Sequence, residues 1–218
     1  VNDSNSSVLV NRATQGLYPP GSTFKILTAL EYIRENPLTY QNYSFNCNGR
    51  FTSGEDTIRC FHGTKHGKVD FTTSFAKSCN SSFANMGLTL SRTSFEDTLS
   101  SLYFNQSLPV DLTSNISKVS IGTSSSDSDL IQTVIGQGTT QMTPLHLSMI
   151  TSMIANHGIM MQPYIIDRVE SADCNLIKSF SPDSLGQLIS EEEADILKNL
   201  MIAVVQEGTG TRLKGQSY

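Results

Sequence analysis

Residues 19–25 read PPGSTFK, and this string restricts the folding of its neighbourhood more tightly than any other in the chain. Two successive prolines remove backbone donors and fix φ, and the glycine after them completes a stop signal for whatever precedes. Beyond the stop, Phe24, Ile26, Leu27, Leu30 and Ile33 recur at helical spacing until Asn36-Pro37 breaks the pattern. The spacing predicts a helix with Ser22 on its first turn. Ser22 and Lys25 lie three residues apart and so share one face of that turn, close enough to exchange a proton. The unpaired N–H groups of a first turn also favour negative charge at or near the serine. An amine works as a base only where its cation is disfavoured, so Lys25 is expected to be enclosed. Taken alone, S-x-x-K equally describes a capping serine with a surface lysine, and the surrounding sequence has to separate the two readings.

The rest of the chain reads as more helix than strand, with no internal repeat. The first dozen residues are polar with one short apolar patch and read as a connector. Residues 38–69 form a loop with weak strand character, after which Asp70 caps a helix carrying Phe71, Phe75 and Ala76. Ser78-Cys79-Asn80 falls at the end of that helix, and helical signal resumes through Phe83, Met86 and Leu88. Thr93 with Glu96 reads as a capping box for a short helix ending near Phe104. Residues 113–129 are Ser-rich and short of apolar anchors, which predicts a poorly ordered surface loop. Thr143 as cap, Pro144 at the first helical position and Gly158 as the stop delimit another helix, with Leu147, Ile150 and Ile154 on one face. Strands are expected within 159–170 and 175–180, joined by a turn near 171–174. A last helix starts at Ser190 with Glu193 completing its capping box, buries Ile196, Leu197, Leu200, Met201 and Val204, and stops at Gly208.

Bulk properties exclude several classes. A net charge of −5, a pI near 5.3 and no Lys/Arg stripe argue against nucleic acid as a partner. No run of about 18 apolar residues is present and the N-terminus lacks a signal-peptide pattern, so any targeting or anchoring segment is expected outside this chain. Length and 38% apolar content suit one large domain or two small ones. The four cysteines, Cys47, Cys60, Cys79 and Cys174, are too sparse for a disulfide framework. Cys47 and Cys60 flank a hairpin-like stretch, which leaves either a local disulfide or two reduced thiols. His62 and His66 follow Cys60 closely and raise the question of zinc, but the gap from Cys47 fits none of the short paired-ligand spacings. No metal and no cofactor are therefore expected, and His62, His66 and His146 read as structural. Gly136-Gln137-Gly138 lacks the spacing of a phosphate loop and reads as a packing turn.

Fifty-six residues after Ser22, Ser78 and Asn80 offer a hydroxyl and an amide two positions apart. Such a pair suits a proton shuttle and a carbonyl clamp; without Ser22 and Lys25 it would read as a helix C-cap. Together, NRATQGLYPPGSTFK, HGKVDFTTSFAKSCNSSFANMG, IGQGTTQMTPLHL and VVQEGTGTRLKG resemble, in order and spacing, successive blocks of the class B penicillin-binding transpeptidases. Of the three motifs that mark serine penicillin-recognising enzymes, S-x-x-K and S-x-N are present, and no K-T-G precedes Tyr218.

The resemblance implies an α/β (α+β) fold of the β-lactamase/transpeptidase type, with residues 1–218 as a partial transpeptidase domain. Its helix-rich portion is here, and much of the central antiparallel sheet is expected outside the chain, both upstream of Val1 and beyond Tyr218. It implies that Ser22 attacks the penultimate D-Ala carbonyl of a peptidoglycan stem peptide, and that β-lactam antibiotics acylate the same serine. Ser78 would shuttle a proton to the leaving nitrogen, Asn80 would orient Lys25 and the acyl-side amide, and the Ser22 N–H would supply half of an oxyanion hole. The K-T-G strand would normally bind the substrate carboxylate and give the second donor, so the chain as it stands is expected to transpeptidate weakly or not at all. By resemblance the protein works on the extracytoplasmic face of a bacterial membrane, with an anchor outside this chain and a possible cell-wall synthesis complex as partner. Two rival readings remain: a class D β-lactamase, which also uses STFK but has a Ser-x-Val second motif, and a non-catalytic β-lactam sensor or scaffold module.

Overall fold

The computed structural model describes residues 10–216. Of the N-terminal connector, residues 1–9 lie outside the described residues. The described residues form seven α-helices and eight short strands, the strands in two runs of four that flank a run of five helices. A 3₁₀ turn, Gly21–Phe24, leads directly into α1, Lys25–Glu35, whose C-cap is Asn36. Burial along α1 takes in Ile26, Leu27, Ala29, Leu30 and Ile33, so this helix runs through the core. It packs against α3 (Asn80–Gly87), α4 (Arg92–Ser101) and α7 (Glu191–Glu207). The expected helix boundaries hold here because proline and capping chemistry are local.

Residues 38–69 are more regular than their sequence suggests. Strand β1 (Ser44–Cys47) pairs antiparallel with β4 (Gly67–Asp70), and β2 (Arg50–Ser53) with β3 (Asp56–Arg59). The inner hairpin turns at Gly54, whose φ of +57° suits a residue without a Cβ. Asp70 ends β4 and caps α2 (Phe71–Ala76) by accepting from the Thr73 N–H. Further on, α6 (Pro144–Ala155) has Thr143 as its cap and Pro144 at its first position, and α7 carries the Ser190/Glu193 capping box. Strand β5 (Ile159–Met161) pairs with β8 (Ser184–Gln187), and β6 (Arg168–Glu170) with β7 (Leu176–Ser179). The described strands form four two-stranded sheets, so the core is made by helices. Arg34 on α1 ties it to α7 through an ion pair with Glu193 at 2.7 Å.

Several expectations are corrected. The helix assigned to Thr93 and Glu96 is capped by Ser91 instead, which accepts from the Ser94 N–H, and it ends at Ser101. Thr93 is the second helical residue, with helical backbone of its own, so it stands past the position from which a side chain caps. The Ser-rich stretch is not all surface loop: Ser117, Val119 and Ile121 are buried, and Ser126 with Asp129 forms a capping box that opens α5 (Asp127–Thr133). His146, read as structural, is fully buried, with Nε2 donating to the Leu102 carbonyl at 2.7 Å. Of the two alternatives left open for Cys47 and Cys60, the structure shows free thiols, their sulfurs 3.6 Å apart, and His66 lies against Cys47 at 3.5 Å.

Candidate active site

Backbone geometry presents the nucleophile candidate. Gly21 has a φ of +56° and its N–H donates to the Gly136 carbonyl at 2.9 Å. Gly136 itself has a φ of +70°, and a Cβ there would fall 2.1 Å from the Gly21 oxygen. The G-Q-G segment is thus a packing turn, as expected, and what it packs against is the turn that carries Ser22. Thr23 Oγ1 donates back to the Pro20 carbonyl at 2.8 Å, closing the same turn. Ser22 is left exposed, while Phe24 and Lys25 beside it are buried. Phe24 anchors the turn from below against the rings of Phe95 and Phe104.

Lys25 is enclosed as the sequence predicts, with 2% of its surface exposed. Its Nζ lies 3.3 Å from Ser22 Oγ, 2.8 Å from the Ser78 carbonyl, 2.8 Å from Ser78 Oγ and 2.7 Å from Asn80 Oδ1. All four residues singled out in the sequence are therefore brought to one point. Two of these partners, the Ser78 carbonyl and Asn80 Oδ1, can only accept. A neutral amine gives them its two hydrogens, which leaves one lone pair that can accept from either the Ser22 or the Ser78 hydroxyl. Burial disfavours the cation and brings the Lys25 pKa down from 10.5 to about 8, against the opposing pull of the Cys79 and Cys60 sulfurs. The face of Phe83, 5.4 Å from Nζ, completes the enclosure.

The second motif is held by an unusual turn. Ser78 lies between α2 and α3 with a φ of +51°, in the left-handed region that non-glycine residues rarely occupy. This conformation aims both its carbonyl and its hydroxyl at Lys25. Asn80 is the first residue of α3 rather than the end of the preceding helix, and Cys79 is the N-cap, its Sγ accepting from the Ser82 N–H at 3.4 Å. Asn80 Nδ2 donates to the Arg59 carbonyl at 3.0 Å, which fixes its side-chain oxygen towards Lys25. Arg59 was not a sequence candidate, because a backbone carbonyl carries no signature in the side-chain pattern.

Ser22 and Ser78 open onto a cleft of about 320 Å³ whose other wall is apolar, formed by Ile26, Phe75, Met201 and Val204. The arrangement can accept a proton from Ser22 at Lys25, relay one through Ser78, and offer the Ser22 N–H to a developing oxyanion.

Comparison with known proteins identifies the family. Residues 1–218 match the penicillin binding protein transpeptidase domain family. The peptidoglycan D,D-transpeptidase PbpA of Mycolicibacterium smegmatis is 27% identical over 207 residues, which is 94% of this chain and 42% of PbpA. The D,D-transpeptidase domain of a peptidoglycan glycosyltransferase from Eggerthella lenta superposes with a TM-score of 0.84 at 29% identity, covering 95% of this chain and 53% of that one. Penicillin-binding protein A from Mycobacterium tuberculosis, as a ceftriaxone acyl-enzyme complex, superposes at 0.85 with 26% identity, covering 94% of this chain and 46% of that one. The chain thus spans less than half the length of the curated relative and about half of the solved ones. The fold is that of these transpeptidase domains, and the chain belongs to the penicillin-binding protein transpeptidase family.

Proposed function

We propose that the protein is a peptidoglycan D,D-transpeptidase that works through an acyl-enzyme at Ser22. The observation that carries this reading is the enclosure of the Lys25 amine by Ser22, Ser78 and Asn80. Lys25 takes the Ser22 Oγ proton as Oγ bonds to the carbonyl carbon of the penultimate D-Ala of a stem peptide. The tetrahedral oxyanion is held by the Ser22 N–H. Collapse breaks the C–N bond, the leaving nitrogen takes a proton relayed through Ser78 Oγ, and the terminal D-Ala departs. An amine of a neighbouring stem then attacks the Ser22 ester, a new amide forms, and Ser22 recovers its proton. A β-lactam carbonyl enters at the first step, and ring opening leaves the leaving group attached, so the acyl-enzyme persists.

This chemistry belongs on the extracytoplasmic face of a bacterial membrane, where its substrate is. Among the described residues no helix is long and apolar enough to cross a membrane, so an anchor would come from sequence outside this chain. A cell-wall synthesis complex is the partner class such a role implies.

The test uses the protein as encoded, a donor peptide ending in D-Ala-D-Ala and an amine acceptor. Release of D-Ala coupled to formation of the donor-acceptor amide, lost in Ser22→Ala, is the expected result. Rapid hydrolysis of donor and penicillin with no amide product would instead make it a hydrolase. Stable penicillin binding without any turnover would make it a sensor or scaffold.

A further inference from the structure

Directly behind Ser78 and Asn80 lies a cluster that the transpeptidase reading does not use. Cys47, Cys60, His66 and Cys79 place one ligand atom each within 4.8 Å of one another, and the three cysteines are buried. They come from four separate segments. The β1/β4 pairing sets Cys47 opposite Gly67, next to His66; Cys60 follows β3; and Cys79 is the residue between Ser78 and Asn80.

Three of the separations inside the cluster match a tetrahedral metal centre, and the remaining pairs lie within 4.8 Å. A tetrahedral zinc with Zn–S near 2.3 Å and Zn–N near 2.0–2.1 Å requires S···S separations of about 3.8 Å and S···N separations of about 3.5 Å. Cys47 to Cys60 is 3.6 Å, Cys60 to Cys79 is 3.7 Å, and Cys47 Sγ to His66 Nδ1 is 3.5 Å. A disulfide needs about 2.05 Å and would take two of the sulfurs. Cys60 instead stands almost equally far from both of its neighbours, as one vertex of a shared polyhedron. Each sulfur also meets a hydrogen-bonding group: the Gly49 N–H reaches Cys47 at 3.4 Å, the Ser82 N–H reaches Cys79 at 3.4 Å, and Ser81 Oγ lies 3.1 Å from Cys60. Donors aimed at sulfur are the outer shell that thiolate ligands require.

From this geometry we infer that Cys47, Cys60, His66 and Cys79 form a structural Cys₃His zinc site that positions the catalytic turn. Thiolate and imidazole are the donor set zinc takes in closed, four-coordinate structural centres. The consequence for function, which rests on the transpeptidase reading, follows from two links. Cys79 is bonded on either side to Ser78 and Asn80, so a metal on its sulfur pins the left-handed turn at Ser78. The Arg59 carbonyl that orients Asn80 is covalently next to Cys60, so a second ligand steadies the other end of the amide. The metal reaches Lys25 only through these residues and takes no part in the chemistry.

Two independent readouts test the inference. The protein as encoded, purified under reducing conditions without chelator, should hold close to one zinc per chain by elemental analysis. Replacement by cobalt(II) should give thiolate-to-metal charge-transfer absorption and the strong visible bands of a tetrahedral centre. Cys79→Ser and Cys47→Ser should each weaken or abolish metal retention; should either fail to fold, reversible removal and return of zinc on the unaltered protein gives the same information. Penicillin acylation of the zinc-free protein should fall on the order of tenfold to a hundredfold and return with zinc, as expected when a reacting group is displaced slightly. A reduced protein that takes up no zinc or cobalt would overturn the site, as would unchanged metal content in Cys79→Ser or a Cys47–Cys60 disulfide in the native protein. A metal bound with acylation unaffected by its removal would overturn the positioning role. Loss of all penicillin reactivity with one zinc retained would count against the transpeptidase reading and leave the metal site standing.

Discussion

Asn80 accepts a 2.7 Å hydrogen bond from the Lys25 amine through Oδ1 while its Nδ2 donates to the Arg59 carbonyl. The amide is therefore held in one orientation, and it offers Lys25 an uncharged acceptor. Asn80→Asp keeps the shape and places a negative charge against the amine. An opposite charge this close raises a lysine pKa by about 1–3 units. Penicillin acylation at pH 7 is predicted to fall about 10- to 1,000-fold in this variant and to recover partly as pH rises, measured by stopped-flow or labelled-penicillin kinetics. A loss that is the same at every pH would contradict the electrostatic role.

The lowered pKa of Lys25 predicts the pH profile of the unaltered protein. With a pKa of about 8, only a minority of the amine is neutral at pH 7. The proposed base is the neutral amine, so the acylation rate should climb about tenfold between pH 7 and 9 and level off above that. Lys25→Arg, which stays cationic throughout, should show no such rise and very little acylation.

Gly136 supports the turn that carries Ser22 from outside the motif. An alanine there would meet the Gly21 oxygen and the Phe24 Cβ, at a φ of +70°. Gly136→Ala is predicted to destabilise the fold by about 3 kcal/mol in denaturant titration and to slow acylation at least tenfold by displacing the Ser22 turn. Gly138→Ala shares the positive φ but meets only the Gln132 side chain at 3.1 Å, so it should leave acylation much closer to normal.

His146 gives the fold an acid-sensitive core. Burial disfavours its cation and lowers its pKa from 6.5 to about 4, with a smaller opposing effect from the hydrogen bond to the Leu102 carbonyl. Between those values the unfolded chain binds a proton that the folded one does not, so stability falls as pH drops. The contribution is intact above pH 6.5, and about 3 kcal/mol of it is lost by pH 4. Chemical denaturation across this range should show a steeper loss for the unaltered protein than for His146→Gln, whose amide can still donate to Leu102.

These relationships were legible in the sequence to different degrees. Asp70, Thr143, Ser190 and the Pro19-Pro20-Gly21 stop marked their elements correctly because each acts within a few residues of itself. The choice of Thr93 over Ser91 failed for a related reason: two hydroxyl residues stand within one turn, and only packing decides which is the cap. Helix α5 was hidden by serine-rich composition, although Ser126 and Asp129 carry a capping signature. The pairing of Ser22 with Lys25 followed from helical spacing, whereas the closeness of Asn80 to Lys25 was an expectation carried by resemblance. The Cys₃His cluster escaped because its residues have no short paired spacing. Cys79 reads as part of a catalytic triplet, and only the antiparallel β1/β4 register brings Cys47 and His66 together.

The most direct measurement of the central claim is peptide mapping by mass spectrometry after brief exposure of the protein to penicillin, with Lys25→Ala treated in parallel. The acyl group is predicted on the peptide carrying Ser22, with labelling slowed at least a hundredfold in Lys25→Ala. An adduct on any other residue, or unchanged labelling without the Lys25 amine, would contradict it.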